Sequence, residues 1–115
     1  MNKYTELSDF EINKKVAINI GGFALSLMVF DDQNGIVKKN IPNIGLMAFT
    51  EFNPCNNPAD AMPIIIENKI GLSPMYHSNK WTADCLDYDF MSVNKNPCRG
   101  AMEVFLMMKD AENNQ

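Results

Sequence analysis

The amino-acid sequence predicts a single α+β domain, in which a mostly antiparallel sheet of four or five strands is flanked by three helices. Helix-capping signals precede three segments, and short β-prone runs bounded by turn residues lie between them. The chain has 115 residues, of which 46% are hydrophobic, enough for one core without disulfides or a metal. We therefore expect one domain over residues 1–115 that ends in a polar, disordered tail at 111–115.

The first helix is predicted over about residues 9–20. Ser8 is followed three positions later by Glu11, the spacing of a capping box. Apolar residues then recur mostly on one helical face, and Gly21 and Gly22 are expected to end the helix.

Short apolar runs between turn residues predict the strands. Asn34 and Gly35 favour a tight hairpin because both residue types tolerate positive φ angles. A strand is expected before this turn and a return strand at Ile36 and Val37, and residues 77–79 are read as a second turn. Three further apolar runs are also predicted to be strands. The predicted strands therefore cover residues 23–30, 36–37, 44–52, 72–76 and 80–86.

The second helix is predicted over about residues 57–69. Asn57 is a favoured N-cap, Pro58 suits the first helical position, and Asp60 lies in the first turn, where a carboxylate favours the helix dipole. Pro63 removes a backbone hydrogen bond, so it should kink the helix or move its start downstream. Lys69 and Gly71 are typical of a helix C-terminus.

The third helix is predicted over about residues 97–110, with Asn96 as its cap and Pro97 at its first position. A core stripe is expected at five apolar positions, but Val104, Leu106 and Met107 add apolar surface beyond it. Either this helix is covered on two sides within its own domain, or these three residues form a subunit interface. Both interpretations remain open from the sequence.

Charge and hydropathy argue against several classes of protein. Fourteen acidic residues against ten basic ones give a net charge of −4, and Arg99 is the single arginine. This composition disfavours a protein whose main task is to bind the phosphate backbone of a nucleic acid. No apolar run approaches the roughly 20 residues of a membrane-spanning helix. The N-terminus has no secretory pattern, so we expect a cytosolic protein with reduced thiols and no membrane association.

The sequence offers weak candidates for catalysis or metal binding. Cys55, Cys85, Cys98 and His77 formally make a zinc set, but the close cysteine pair of a zinc knuckle is absent. Cys55 and Cys98 lie near predicted helix starts, where a thiol pKa can be lowered. Core packing is the better explanation for Cys85. We predict no catalytic residue, no cofactor and no metal, with a thiol or metal enzyme as the remote alternative.

The starts of the second and third helices are the candidate contact sites. Arg99, beside the cap Asn96, could hold an anion or a partner's carboxylate, and Asn57 and Asp60 occupy the corresponding place on the second helix. Alternatively, Arg99 pairs with an acidic residue of its own chain.

Three blocks of the sequence form a recognisable set: residues 4–14 (YTELSDFEINK), 55–68 (CNNPADA, then PIIIEN after Met62) and 96–108 (NPCRGAM, then FLMM). Together these blocks resemble the NinX family of small proteins from lambdoid phages and related prophages. It implies a phage origin, the cytoplasm of a bacterial host and a phage α/β/α sandwich, but no activity. Met62 and Gly100 stand where the family is expected to have tryptophan and alanine.

The function predicted from these observations is that of a non-enzymatic phage accessory protein. It is expected to bind a host or phage protein, and to form a homo-oligomer through the apolar surface of the last helix. The alternative is a nucleic-acid-associated factor in phage recombination or replication, which should show salt-dependent DNA binding.

Overall fold

The computed structural model describes residues 2–41 and 48–113. In this part of the chain the α+β class is confirmed, with four helices and two separate three-stranded antiparallel sheets instead of three helices on one sheet. In chain order the elements are α1 (Asp9–Ile20), α2 (Gly22–Ser26), β1 (Met28–Asp31), β2 (Ile36–Ile41), β3 (Ala48–Glu51), α3 (Pro58–Glu67), β4 (Gly71–Pro74), β5 (Trp81–Asp84), β6 (Met91–Asn94) and α4 (Pro97–Asn113).

The first sheet has the order β1-β2-β3, with Asp31 paired to Ile36 at the hairpin end. Gly35 has a φ of +67°, as the hairpin signal required, and the Asp31 carboxylate accepts hydrogen bonds from both the backbone and the side-chain nitrogen of Asn34. The hairpin and the positive φ at Gly35 are therefore confirmed, but Asn34 does not have the positive φ that the prediction gave it, and residues 32–35 separate the two strands.

The strand predicted over residues 23–30 is wrong in its first half. Gly21 and Gly22 both have positive φ angles, and the chain then makes the short helix α2 before β1 begins at Met28. Of the strand predicted over 44–52, residues 48–51 form β3, and residues 44–47 lie outside the described part of the chain.

The second sheet has the order β4-β5-β6 and packs against α4. The two predicted strands are found with shorter bounds, and the turn around His77 joins them. The sequence reasoning missed β6, whose four residues follow an acidic segment without a clear β pattern. Ala83 and Ser92 face α4 and are buried.

All three predicted N-caps are confirmed. The side-chain oxygens of Ser8, Asn57 and Asn96 accept hydrogen bonds from the backbone N–H groups of Glu11, Ala59 and Cys98, at 3.0–3.1 Å. At the end of α3 the left-handed residue is Lys69, with a φ of 54°, while Gly71 begins β4.

Pro63 lies inside α3, which starts at Pro58, so the expected later start is wrong. The missing N–H would have bonded to the carbonyl of Ala59, four residues earlier. Both residues are exposed, so water can satisfy that carbonyl.

Helix α4 forms the centre of the core, because α1, α3 and the second sheet all pack against it. Val104 is 0% exposed and Leu106 is 1% exposed, so these two residues are covered by their own chain and cannot form the predicted interface. Met107 is half-buried. The helix also continues to Asn113, which makes residues 111–113 helical instead of a disordered tail.

None of the helices in the described ranges is both long enough and apolar enough to span a bilayer.

Candidate functional site

Arg99 lies in the first turn of α4 and is 7% exposed. Its Nε donates to Oε2 of Glu103 at 2.7 Å, and its Nη1 donates to Oδ1 of Asp9 at 2.6 Å. Its Nη2 donates to the carbonyl oxygens of Tyr4 and Leu7, at 2.9 and 2.7 Å. Because these four bonds surround the guanidinium with acceptors of its own chain, the predicted anion site on Arg99 is wrong and the alternative of an internal ion pair is what the structure shows.

Glu103 extends this cluster towards the N-terminus and the second sheet. Glu103 is 1% exposed, and its Oε1 accepts hydrogen bonds from Asn2 Nδ2 at 2.6 Å and from Ser92 Oγ at 2.7 Å. Throughout the described ranges every buried side-chain nitrogen or oxygen has a hydrogen-bond partner. The buried carboxylate of Glu103 therefore connects α4 to β6 and to the N-terminal segment through hydrogen bonds.

A second group of polar residues joins the starts of α3 and α4. Asn96 Nδ2 donates to the carbonyl of Cys55 at 2.7 Å and to Oδ1 of Asn56 at 3.0 Å, and Asn56 Nδ2 donates to Asp9 at 3.0 Å. Asp9 in turn binds Arg99, so the two groups are continuous.

Asn57 and Asp60 belong to the same polar network. Asp60 Oδ2 accepts from the backbone N–H of Asn53 at 2.9 Å and from Asn57 Nδ2 at 3.3 Å. Asn53 Oδ1 accepts from Asn56 Nδ2 at 3.1 Å, which completes the connection to Arg99. The structure thus brings the four predicted contact residues together: Asn57, Asp60, Asn96 and Arg99. Their hydrogen bonds connect α1, α3 and α4 to one another.

Sequence reasoning missed several members of this network. The spacing of Arg99 and Glu103 could have indicated their ion pair. Residues four positions apart lie on the same helical face, so the two opposite charges can neutralise each other when both are buried. Asn13, Asn53 and Asn56 carried no signal beyond that of turn-forming residues.

Asp9 is the exposed member of the ion pair with Arg99: its side chain is 47% exposed, against 9% for Arg99. Partial burial acts to raise its pKa, but hydrogen bonds from Asn56 and Arg99 outweigh burial and hold the pKa below its ordinary value. Asp9 therefore stays ionised and paired with Arg99 at neutral pH.

The cysteines show no sign of activation. Burial raises the pKa of the Cys55 thiol to about 12 and also raises the pKa of Cys98, the opposite of the lowering expected at a helix start. Both thiols are therefore protonated at neutral pH. In the residues that the structure describes, no three Cys, His, Asp or Glu side chains are grouped to hold a metal ion.

A cavity of about 430 Å³ lies where the N-terminal residues meet the end of α4. Phe90, Met91 and Met107 supply apolar walls, while Lys3 and Asp110 form an ion pair at 3.2 Å at its edge. Asp110 also accepts a hydrogen bond from the Tyr4 hydroxyl. Lys3 and Asp110 therefore already have partners in the chain itself.

The outer side of α3 is apolar and exposed. Ala59, Met62, Pro63 and Ile66 follow the i, i+3, i+4, i+7 spacing of one helical face, and Ile66 is 67% exposed. We call these four residues the α3 stripe. The opposite side of the helix, with Ala61, Ile64 and Ile65, is buried.

A groove of about 230 Å³ runs between α3 and the first sheet, and two residues of the α3 stripe line it. Lys39 and Glu67 also line this groove, and neither forms an ion pair with any residue in the described ranges. The remaining lining consists of Asp60 and the apolar residues Ile20, Ala24, Met28, Phe52 and Ile64. The run Ile64 to Ile66 was the available sequence signal, because three consecutive apolar residues in a helix cannot all face one side.

Comparison with known proteins assigns the family. A family model described as Bacteriophage P22, NinX matches residues 3–109. The chain belongs to the NinX family. Apart from Asn2, the matched residues include the polar network around Arg99, and they include the whole α3 stripe. No curated protein and no solved structure matches this NinX-family chain.

Proposed function

We propose that this NinX-family protein is a non-enzymatic phage accessory protein that acts in the bacterial cytoplasm through protein–protein binding, and that the α3 stripe is its binding surface. The observation that carries the proposal is the exposure of a complete apolar helical face in a chain whose other long helices pack on the core. Contiguous exposed apolar surface is typical of protein interaction sites.

The energetics favour burial of this surface by a partner. Burying a fully exposed side chain of this size contributes roughly 1.5–3 kcal/mol, and covering the exposed part of Ile66 or Met62 contributes the corresponding fraction. Ile66 is more exposed than Met62, which is 42% exposed, so Ile66 is the better single position to disrupt.

The buried polar groups support a non-enzymatic interpretation. Arg99 and Glu103 already have protein partners, and the Cys55 and Cys98 thiols are protonated at neutral pH. Of these residues, Arg99 was the sequence candidate for anion binding, and Cys55 and Cys98 were the candidates for nucleophilic chemistry.

The test is an affinity capture from lysate of infected cells, run with and without nuclease treatment. It compares tagged wild-type protein with Ile66→Glu and with the matched control Leu86→Glu, which changes an 83% exposed residue between β5 and β6. We expect wild type and Leu86→Glu to retain the same protein, which can be an untagged copy of the chain, and Ile66→Glu to lose it.

Two results would contradict the proposal. One is equal capture by all three proteins, which would move binding away from the α3 stripe. The other is capture that disappears on nuclease treatment, which would favour the nucleic-acid alternative.

A further inference from the structure

We infer that the protein seated on the α3 stripe is a second copy of the same chain, in a two-fold symmetric dimer; this rests on the proposed function. The i, i+3, i+4, i+7 spacing is the pattern with which one helix packs on another. Ala59 and Pro63 alternate with the larger Met62 and Ile66 along the stripe. Small residues beside large ones allow two such helices to interlock.

The charges at the groove support self-association. Lys39 on β2 and Glu67 on α3 line the same groove, yet their charged atoms lie beyond ion-pair distance and neither has another ion-pair partner in residues 2–41 and 48–113. Asp60 also lines this groove, but its carboxylate already accepts hydrogen bonds from Asn53 and Asn57. Lys39 and Glu67 have no such bonds within the described residues, so one positive and one negative group remain beside the apolar stripe, and this surface is self-complementary under a two-fold axis. Lys39 of each chain would then pair with Glu67 of the other, giving two equivalent ion pairs.

Other occupants match this surface less well. A uniformly acidic partner or a nucleic acid would be repelled by Glu67 and Asp60, and a uniformly basic partner would leave Lys39 without a counter-charge. A second copy satisfies both groups at once. In this arrangement the contact between subunits lies on α3, whereas the sequence predicted it on α4.

The first arm of the experiment measures the molecular mass of the purified full chain by sedimentation equilibrium over a wide concentration range. We expect wild type and Leu86→Glu to dimerise as concentration rises. Ile66→Glu should weaken the dimer by roughly tenfold or more, because its carboxylates would be brought into an apolar contact. Urea unfolding midpoints of all variants show whether each one is folded.

The second arm tests the ion pairs with Lys39→Glu and Glu67→Lys. Each single variant should dimerise more weakly than wild type, because each would place like charges opposite one another across the axis. An equimolar mixture of the two variants should form heterodimers, because each chain then faces the opposite charge at both positions. A charge effect confined to one chain would not produce this recovery.

A wild-type chain that remains monomeric at millimolar concentration would overturn the dimer. So would a mixture of the two charge variants that dimerises no better than either alone. If the wild type is monomeric and Ile66→Glu still loses a captured protein of different sequence, the dimer is wrong and the proposed function stands. If neither self-association nor Ile66-dependent capture is observed, both are wrong.

Discussion

Helices α3 and α4 both carry apolar residues on more than one side, but the fold covers them differently. Helix α4 has neighbours on several sides, and even its charged residues Arg99 and Glu103 are buried. Helix α3 packs mainly on α4, and it leaves Met62 and Ile66 exposed. The apolar content of a helix therefore does not locate an interface, because the burial of its residues depends on how many helices and strands pack against it.

The largest effect is expected when the buried charge pair of α4 is broken. Arg99→Met leaves the Glu103 carboxylate buried without its cation, which should lower the free energy of unfolding by about 3–5 kcal/mol. Urea denaturation gives this value. Lys109→Met is the control, since it removes an exposed pair with Glu112 and should cost less than about 0.5 kcal/mol. An equal cost for the two variants would contradict the structural role of Arg99.

A smaller effect of opposite sign is expected in α3. Pro63→Ala restores an N–H donor for the carbonyl of Ala59 in an exposed part of the helix, so the free energy of unfolding should rise by about 1 kcal/mol. The gain is limited because proline also restricts the unfolded chain. Thermal unfolding measures the difference, and a less stable variant would show that Pro63 makes favourable contacts in the fold.

Gly100→Ala tests how closely α4 lies against the second sheet. An added Cβ would stand 3.6 Å from Asn94 Cβ and 3.7 Å from Ala83 Cβ, which are ordinary van der Waals contacts. Alanine should therefore stabilise the helix by about 0.5–1 kcal/mol. Gly35→Ala is the contrasting control, because a φ of +67° makes it destabilising. A destabilising Gly100→Ala would mean that α4 and the sheet pack more tightly than the structure shows.

The smallest expected effect concerns pH. Because the pKa of Asp9 is lower in the folded chain than in the unfolded one, its contribution to stability is present above the unfolded pKa and is lost as pH falls below about 4. Half of the side chain is exposed, so the loss should be about 1 kcal/mol or less. Asp9→Asn should flatten this part of the stability profile, measured by urea unfolding across acidic pH. An unchanged profile would show that Asp9 contributes nothing through its charge.

The parts of the fold that depend on neighbouring residues could be predicted from the sequence. The caps at Ser8, Asn57 and Asn96 each involve residues within three positions, and all three helix starts are confirmed. The division into two sheets could not be predicted, because strands of four residues carry little pattern and their pairing is decided by the rest of the chain. The short β6 was missed for the same reason.

The candidate site also depends on contacts between residues that are far apart in the sequence, which the sequence alone does not reveal. Arg99 could be read as an anion ligand or as an internal pair, and the choice depends on Asp9, which lies ninety residues earlier in the sequence. The apolar character of α3 was visible in Ile64 to Ile66, but its exposed side is set by the path of α4. Sequence reasoning therefore identified interacting residues without identifying which surface stays free.

The most direct test of the contrast between the two helices is urea unfolding of Ile66→Glu and Val104→Glu at concentrations low enough to keep the chain monomeric. We expect Ile66→Glu to stay within about 0.5 kcal/mol of wild type, because the new carboxylate remains in water. Val104→Glu should lose at least about 3 kcal/mol or fail to fold, because it buries an unpaired carboxylate. Equal losses, or a greater loss for Ile66→Glu, would contradict the assignment of α3 as the free surface.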